Sequence, residues 1–223
     1  MPSSSNGPFP IDTKNHASRI PPSLTITRYL HNYAAQKSVS LVGPLYAGNK
    51  EFSDPVLYVD GGTQFRTQHE GLAVGDGDSY SGVLDEKLNP GKDYSDLAYV
   101  LASLPAHFNE VCLNGFLGGR RDHEWANLGE VNAFLKQRHL ATQINFDTQI
   151  TGLTAGRWQL EINETFSLLC LETAKVKMKG ACHYQLKQKT RLEPLCSHGL
   201  SNIGHGTVTL QTDKPLFIVY PQR

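Results

Sequence analysis

Val56-Leu57-Tyr58-Val59-Asp60-Gly61-Gly62 is followed, a short interval later, by Gly71-Leu72-Ala73-Val74-Gly75-Asp76-Gly77-Asp78-Ser79. Each segment is a brief apolar run that stops at aspartate and glycine. Runs of this length bounded by turn residues predict buried strands. Working outward, Val39 to Val42 ends at Gly43-Pro44, and Val111-Cys112-Leu113 ends at Asn114-Gly115. Between and beyond them, three segments carry helical patterns: Leu24 to Tyr33, Ser95 to Leu104, and Asp122 to Arg138. The last has Trp125, Leu128, Val131 and Leu135 at helical spacing. Strands alternating with helices predict an α/β domain with a parallel, Rossmann-like sheet.

The pattern changes near Ala141. Short alternating segments follow: Thr142 to Phe146, Arg157 to Ile162, Thr165 to Leu171, Ala174 to Met178, Thr207 to Gln211 and Leu216 to Tyr220. Turn residues separate them, which predicts an all-β sandwich. The expected organisation is a loose Pro/Ser-rich arm over 1–22, an α/β domain over 23–140 and a β-sandwich over 141–223.

Bulk composition narrows the function classes. The 223 residues carry 21 basic and 21 acidic side chains. No broad basic field exists to draw in nucleic acid or an anionic membrane. No stretch is long and apolar enough to span a bilayer, and the first ten residues do not look like a signal peptide. The four cysteines lack CxxC spacing, and Cys182, His183, Cys196 and His198 fit no common zinc finger. A reduced, cytoplasmic protein is expected.

Four acidic and glycine-rich patches fall where strands or helices should end. They are Asp60-Gly61-Gly62, Gly75-Asp76-Gly77-Asp78-Ser79, Lys92-Asp93-Tyr94-Ser95-Asp96 and Gly118-Gly119-Arg120-Arg121-Asp122-His123. In open α/β sheets, ligands sit at the carboxyl ends of strands. Two carboxylates one residue apart can face one hard cation, and magnesium prefers carboxylates, water and phosphate oxygens. A calcium loop is ruled out because its fifth and twelfth positions would be Tyr80 and Lys87. Asp93 and Asp96 read either as a helix cap with a dipole partner or as an inward carboxylate beside that cation. Paired glycines before a helix expose backbone amides to an anion, and arginine can grip phosphate bidentately. Each patch alone has an ordinary structural explanation. Their joint occurrence points to magnesium-bound polyphosphate.

At these residues the chain resembles the thiamine pyrophosphokinase family, which carries Asp-Gly-Gly, Gly-Asp-x-Asp-Ser, Asp-x-Thr-Asp and Gly-Gly-Arg-x-Asp-His in this order. Gly199-Leu200-Ser201-Asn202 is similar to the family's Gly-x-Ser-Asn near its substrate pocket. The resemblance implies pyrophosphoryl transfer from ATP to the thiamine hydroxyl, with release of AMP. It implies a homodimer with thiamine bound between the sandwich of one subunit and the α/β domain of the other. It implies magnesium on Asp76, Asp78 and Asp96, and a nucleotide held by Asp60, Gly61, Gly62, Gly118, Gly119, Arg120, Asp122 and His123. Catalysis would fall to Asp78, Asp96 and Arg120, with Asp78 or Asp96 taking the hydroxyl proton. Tyr184, Ser201 and Asn202 would line the thiamine pocket. Gly77 stands where the family has a bulky apolar residue, and Ile203 where an acidic one is common. A different hydroxymethyl heterocycle, such as a pterin, and a non-catalytic nucleotide- or thiamine-binding module are the alternatives.

Overall fold

The structure is a computed structural model and describes residues 20–48, 51–52, 54–66, 70–80 and 82–221. The arm expected over 1–22 falls mostly on residues 1–19, outside the described ones. The first half forms α1 (Leu24–His31), β1 (Ser38–Val42), β2 (Val56–Val59), β3 (Leu72–Gly75), β4 (Glu86–Lys87), α2 (Asp96–Ala102), β5 (Glu110–Asn114) and α3 (Arg121–Gln137). The second half is β6 (Gln143–Phe146), β7 (Ile150–Leu153), β8 (Gly156–Ile162), β9 (Thr165–Leu169), β10 (Ala174–Cys182), β11 (Leu186–Leu192), β12 (Asn202–Thr212) and β13 (Leu216–Val219).

These strands make one mixed sheet path, in the order β11-β10-β12-β9-β13-β7-β6-β5-β1-β2-β3-β4, with β8 paired to β12. Pairing is parallel from β4 to β6, and turns antiparallel at the β6–β7 hairpin. The strand direction changes within a continuous sheet at the β6–β7 turn, one strand beyond the change of pattern expected near residue 140.

Alternation along the parallel strands separates two faces. Val39, Leu41, Leu57, Val59, Val74, Val111, Leu113, Ile144 and Phe146 point into a core with Ile26 and Leu30 of α1, Val100 and Leu101 of α2, and Val131 and Leu135 of α3. All three helices pack into this one core. A smaller cluster of Val42, Tyr46, Val56, Tyr58 and Ala73 forms behind β1–β3. A third core joins β7, β9 and β13 to β8, β10, β11 and β12. Strand β13 belongs to two cores, because Phe217 faces the helices while Leu216 and Ile218 face the sandwich.

Three strands escape the sequence pattern. Ile150-Thr151-Gly152-Leu153 hides a glycine, which the fold uses to admit Leu135 of α3. A Cβ on Gly152 would lie 3.1 Å from Leu135 and 3.2 Å from Phe217. Strand β11 is mostly exposed lysine, arginine, glutamine and threonine, a composition suited to an edge. Strand β4 has only two residues. Two helical expectations also shift. Trp125 is 54% exposed, so the buried face of α3 is Val131, Phe134 and Leu135. Ser95, not Asp93, caps α2, its hydroxyl accepting from the Ala98 amide at 3.1 Å.

Candidate active site

Parallel pairing of β2 and β3 sets Val59 opposite Val74. The residues that follow each strand therefore emerge side by side, about 4.8 Å apart. Asp60 emerges from β2 with φ of 52°, a left-handed conformation that aspartate tolerates better than most side chains. Gly62 behind it is buried, and a Cβ there would fall 2.0 Å from the Val42 carbonyl oxygen. Gly62 thus lets the turn close onto the end of β1. Past β3 the chain folds back at Gly77, with φ of 85°. That turn lets the Asp78 amide donate to Asp76 Oδ1 at 3.2 Å.

Asp60, Asp76 and Asp78 converge, each offering a carboxylate oxygen within 4.8 Å of the others. Burial raises the Asp60 carboxyl above its ordinary 3.8, and the Asp78 and Asp76 charges add to that, against a hydrogen bond from Ser79. Three hard oxygen donors of like negative charge, drawn together at one point, fit a divalent cation such as magnesium. Cation binding needs the ionised carboxylates, so it competes with protons. Magnesium should therefore raise the melting temperature of the metal-free protein by several degrees at saturating metal. The shift should shrink as pH falls toward the raised Asp60 value. Thermal melts at pH 8, 6 and 4.5 measure this, and no shift at any pH would remove the triad as a cation site.

Asp96 is positioned differently. It opens α2, is 9% exposed, and lies 2.8 Å from Lys92 Nζ, which also contacts Asp76 Oδ2 at 2.6 Å. The ammonium, its side chain only 7% exposed, bridges the two carboxylates. Burial raises Asp96 despite Lys92, whereas the Lys92 hydrogen bond holds Asp76 below its ordinary value. Burial alone would pull Lys92 down, but Asp76 and Asp96 outweigh it and keep the amine charged. Sequence reasoning placed Lys92 in a patch and gave it no role. Its i,i+4 spacing to Asp96 was the available signal.

The Gly118–His123 segment lies at the start of α3. Gly118 and Gly119 have φ of 86° and 66°. The anion at this helix start is the chain's own Glu124, which accepts from the Gly118 amide at 3.1 Å. Arg120 and Asp122 form a two-point ion pair at 2.5 and 3.2 Å, with side chains 71% and 65% exposed. The arginine holds Asp122 down at about 2. His123 is exposed on the same turn.

In the β half, Asn202 is buried and fully engaged. Its Oδ1 accepts from the Tyr184 and Ile203 amides at 3.0 and 2.9 Å, and its Nδ2 donates to the Tyr184 carbonyl at 2.7 Å. It fixes the backbone at Tyr184, whose ring is 59% exposed beside His183. Ser201 is exposed, with φ of 57°. Cys182 and Cys196 are free thiols, and the triad of aspartates is the one candidate metal cluster among the described residues.

A cleft of about 660 Å³ opens at the carboxyl ends of β1, β5 and β6. The chain runs outward from β1 through β2 and β3, then returns to β5 on the other side of β1. The cleft thus occupies the topological switch point, where open α/β sheets bind ligands. Asp147, in the β6–β7 turn, accepts from the amides of Gly115, Phe116 and Leu117 at 2.6, 3.2 and 3.3 Å and braces the loop after β5. Sequence reasoning missed this wall.

Comparison with solved structures gives the architecture a counterpart. Thiamine pyrophosphokinase from Bacillus subtilis superposes with a TM-score of 0.64 at 18% identity, over 84% of this chain and 100% of that one. A protein from Lactobacillus plantarum gives 0.64 at 22% identity, over 84% and 100%. Thiamin pyrophosphokinase from Candida albicans gives 0.62 at 13%, over 84% and 89%. The chain has the thiamine pyrophosphokinase fold. No protein-family model matches the sequence, and no curated protein sequence does. The resemblance found in the short motifs thus recurs in the three-dimensional fold of the thiamine pyrophosphokinases. No helix among the described residues is long and apolar enough to cross a membrane.

Proposed function

We propose that this protein is a magnesium-dependent thiamine pyrophosphokinase, with ATP as donor. The observation that carries the reading is the convergence of Asp60, Asp76 and Asp78 where β2 and β3 end. Magnesium held there would neutralise phosphate charge. Asp96, enclosed with Lys92, supports the triad from behind through Asp76. Arg120 would exchange its solvent-side partner Asp122 for a phosphate oxygen, a change its exposure permits.

In the reaction the thiamine hydroxyl oxygen attacks the β-phosphorus of ATP. The bond from that phosphorus to the oxygen bridging it to the α-phosphorus breaks, and AMP leaves with the bridging oxygen. The hydroxyl proton goes to a carboxylate. Asp78 is the exposed member of the triad and is open to an incoming hydroxyl, whereas Asp96 is buried against Lys92. Such transfers rest on positioning and charge neutralisation more than on covalent help.

Thiamine would sit against Tyr184 and Ser201, with Asn202 holding the Tyr184 backbone in place. Exposed Tyr184, Leu200 and Ile203 form an apolar edge suited to a second protomer of a homodimer. The expected result is AMP release that requires ATP, magnesium and thiamine together, measured by chromatography of the nucleotides. AMP formed only with a pterin alcohol would reassign the acceptor. ATP binding without AMP release would make the chain a binding module.

A further inference from the structure

The turn that carries Asp76 and Asp78 leaves the sheet at the end of β3. The chain returns beside its own point of departure, where Val74 pairs with Glu86 and Gly75 with Lys87. Lys87 packs against the turn, since a Cβ on Gly77 would lie 3.7 Å from its Cε. Where β4 sits therefore decides where the two aspartates sit. A strand of two residues is weak, and side chains hold it in place. Glu86, half-buried, accepts from the Tyr99 hydroxyl at 2.7 Å and from the Ser23 hydroxyl. Ser23 is buried and caps α1, its hydroxyl accepting from the Ile26 amide at 2.9 Å. The Ser23 amide donates to the Ser103 hydroxyl at 2.9 Å, and that hydroxyl donates to the Tyr99 carbonyl at 2.8 Å. This circuit ties β4 to α1 and α2. Burial, followed by the Glu86 hydrogen bond, pushes the Tyr99 hydroxyl up to about 12, so it stays a donor.

We propose that Glu86 is a positioning residue for the magnesium turn. Held by Tyr99 and Ser23, it sets the place of Asp76 and Asp78 and thereby the affinity for magnesium. The inference rests on the pyrophosphokinase reading. Both partners of Glu86 are neutral hydroxyls, and among the described residues no lysine or arginine forms an ion pair with it. A half-buried carboxylate without a cation is a costly way to pack a strand, and an apolar side chain of similar volume often serves stability as well. What the carboxylate adds is direction, because hydroxyls from two different elements fix it in one orientation. Tyr99 lies three residues after Asp96 on α2, and that spacing puts both on one helix face. The bond that seats β4 thus also seats the helix that brings Asp96 to Lys92. Outer partners that orient a metal's ligands tune its affinity without touching the ion.

Calorimetric titration of magnesium into each folded variant, well below its Tm, reads the turn directly. Glu86→Ala should weaken magnesium about 10-fold, the lower end of what losing an outer partner costs a metal site. Glu86→Gln keeps one acceptor oxygen and should recover part of that loss. Tyr99→Phe keeps the ring and deletes one of the two donors, so it should weaken magnesium in the same direction by less, and it tests the idea even where Glu86→Ala fails to fold. Ser103→Ala is the control. It removes two bonds of the circuit and leaves both donors to Glu86, so it should lower the Tm and leave magnesium affinity unchanged. Unchanged magnesium affinity in the Glu86 variants and in Tyr99→Phe would overturn the proposal. Weakening in Ser103→Ala as large as in Tyr99→Phe would show general loosening and overturn it too. Wild type that binds no magnesium would overturn both the proposal and the reading beneath it, a failure that the wild-type titration alone reveals.

Discussion

Asp78→Asn should cut thiamine-dependent AMP release by roughly 100- to 1000-fold in kcat, the scale of removing one electrostatic stabiliser from a transition state. It should do so without unfolding the protein. Asp78 is exposed, and its side chain accepts from the Ser79 hydroxyl at 2.9 Å. The hydrogen bond that its backbone N–H donates to Asp76 Oδ1 survives the substitution. Surface changes of this kind usually move stability by no more than about 0.5 kcal/mol. Loss of one negative charge also relieves its neighbours, so the Asp60 carboxyl should move back toward its ordinary value. The melting temperature without metal should therefore hold or rise, while the magnesium-induced shift should disappear. Wild-type rates in the variant would remove the triad from the chemistry.

Lys92→Met should act on both stability and activity. The methionine keeps the apolar stem and deletes the ammonium between Asp76 and Asp96. Both carboxylates are then buried without their cation, at a cost of about 3 kcal/mol. In a chain of this size that corresponds to roughly 6–12 °C in Tm. The pH dependence has a definite sign. Asp76 is depressed, so its contribution in the wild type is present above 3.8 and is lost as pH falls through its folded value. Lys92 is raised, so its contribution is complete below 10.5 and is lost as pH rises through its folded value. The gap between wild type and variant should be widest between those limits and close at both ends. Magnesium affinity should fall in the variant, because Asp76 loses the contact that aims it. Denaturation across pH, with magnesium titration at pH 7.5, measures both effects. An unchanged Tm throughout would show that the bridge is not a structural support.

The parallel half was legible because its signals are local. Val56–Val59 and Leu72–Gly75 announce themselves as apolar runs stopped by turn residues, and the observed strands follow them. Strand β11 was illegible because an edge strand needs no apolar face, and β7 because its glycine is explained only by Leu135 and Phe217 from distant parts of the chain. The acidic patches and their order were likewise readable. Their partners were not.

Sequence alone determined that aspartates and glycines cluster at the ends of buried strands, since strand length and turn chemistry are written residue by residue. Tertiary structure decided which aspartates meet. The Val59–Val74 register joins Asp60 to Asp76 and Asp78, and the docking of α2 beside β3 puts Lys92 between Asp76 and Asp96. It also decided what Glu86 meets, because its two hydroxyl partners come from the cap of α1 and from α2. Strand pairing and burial are non-local, and no spacing along the chain encodes them.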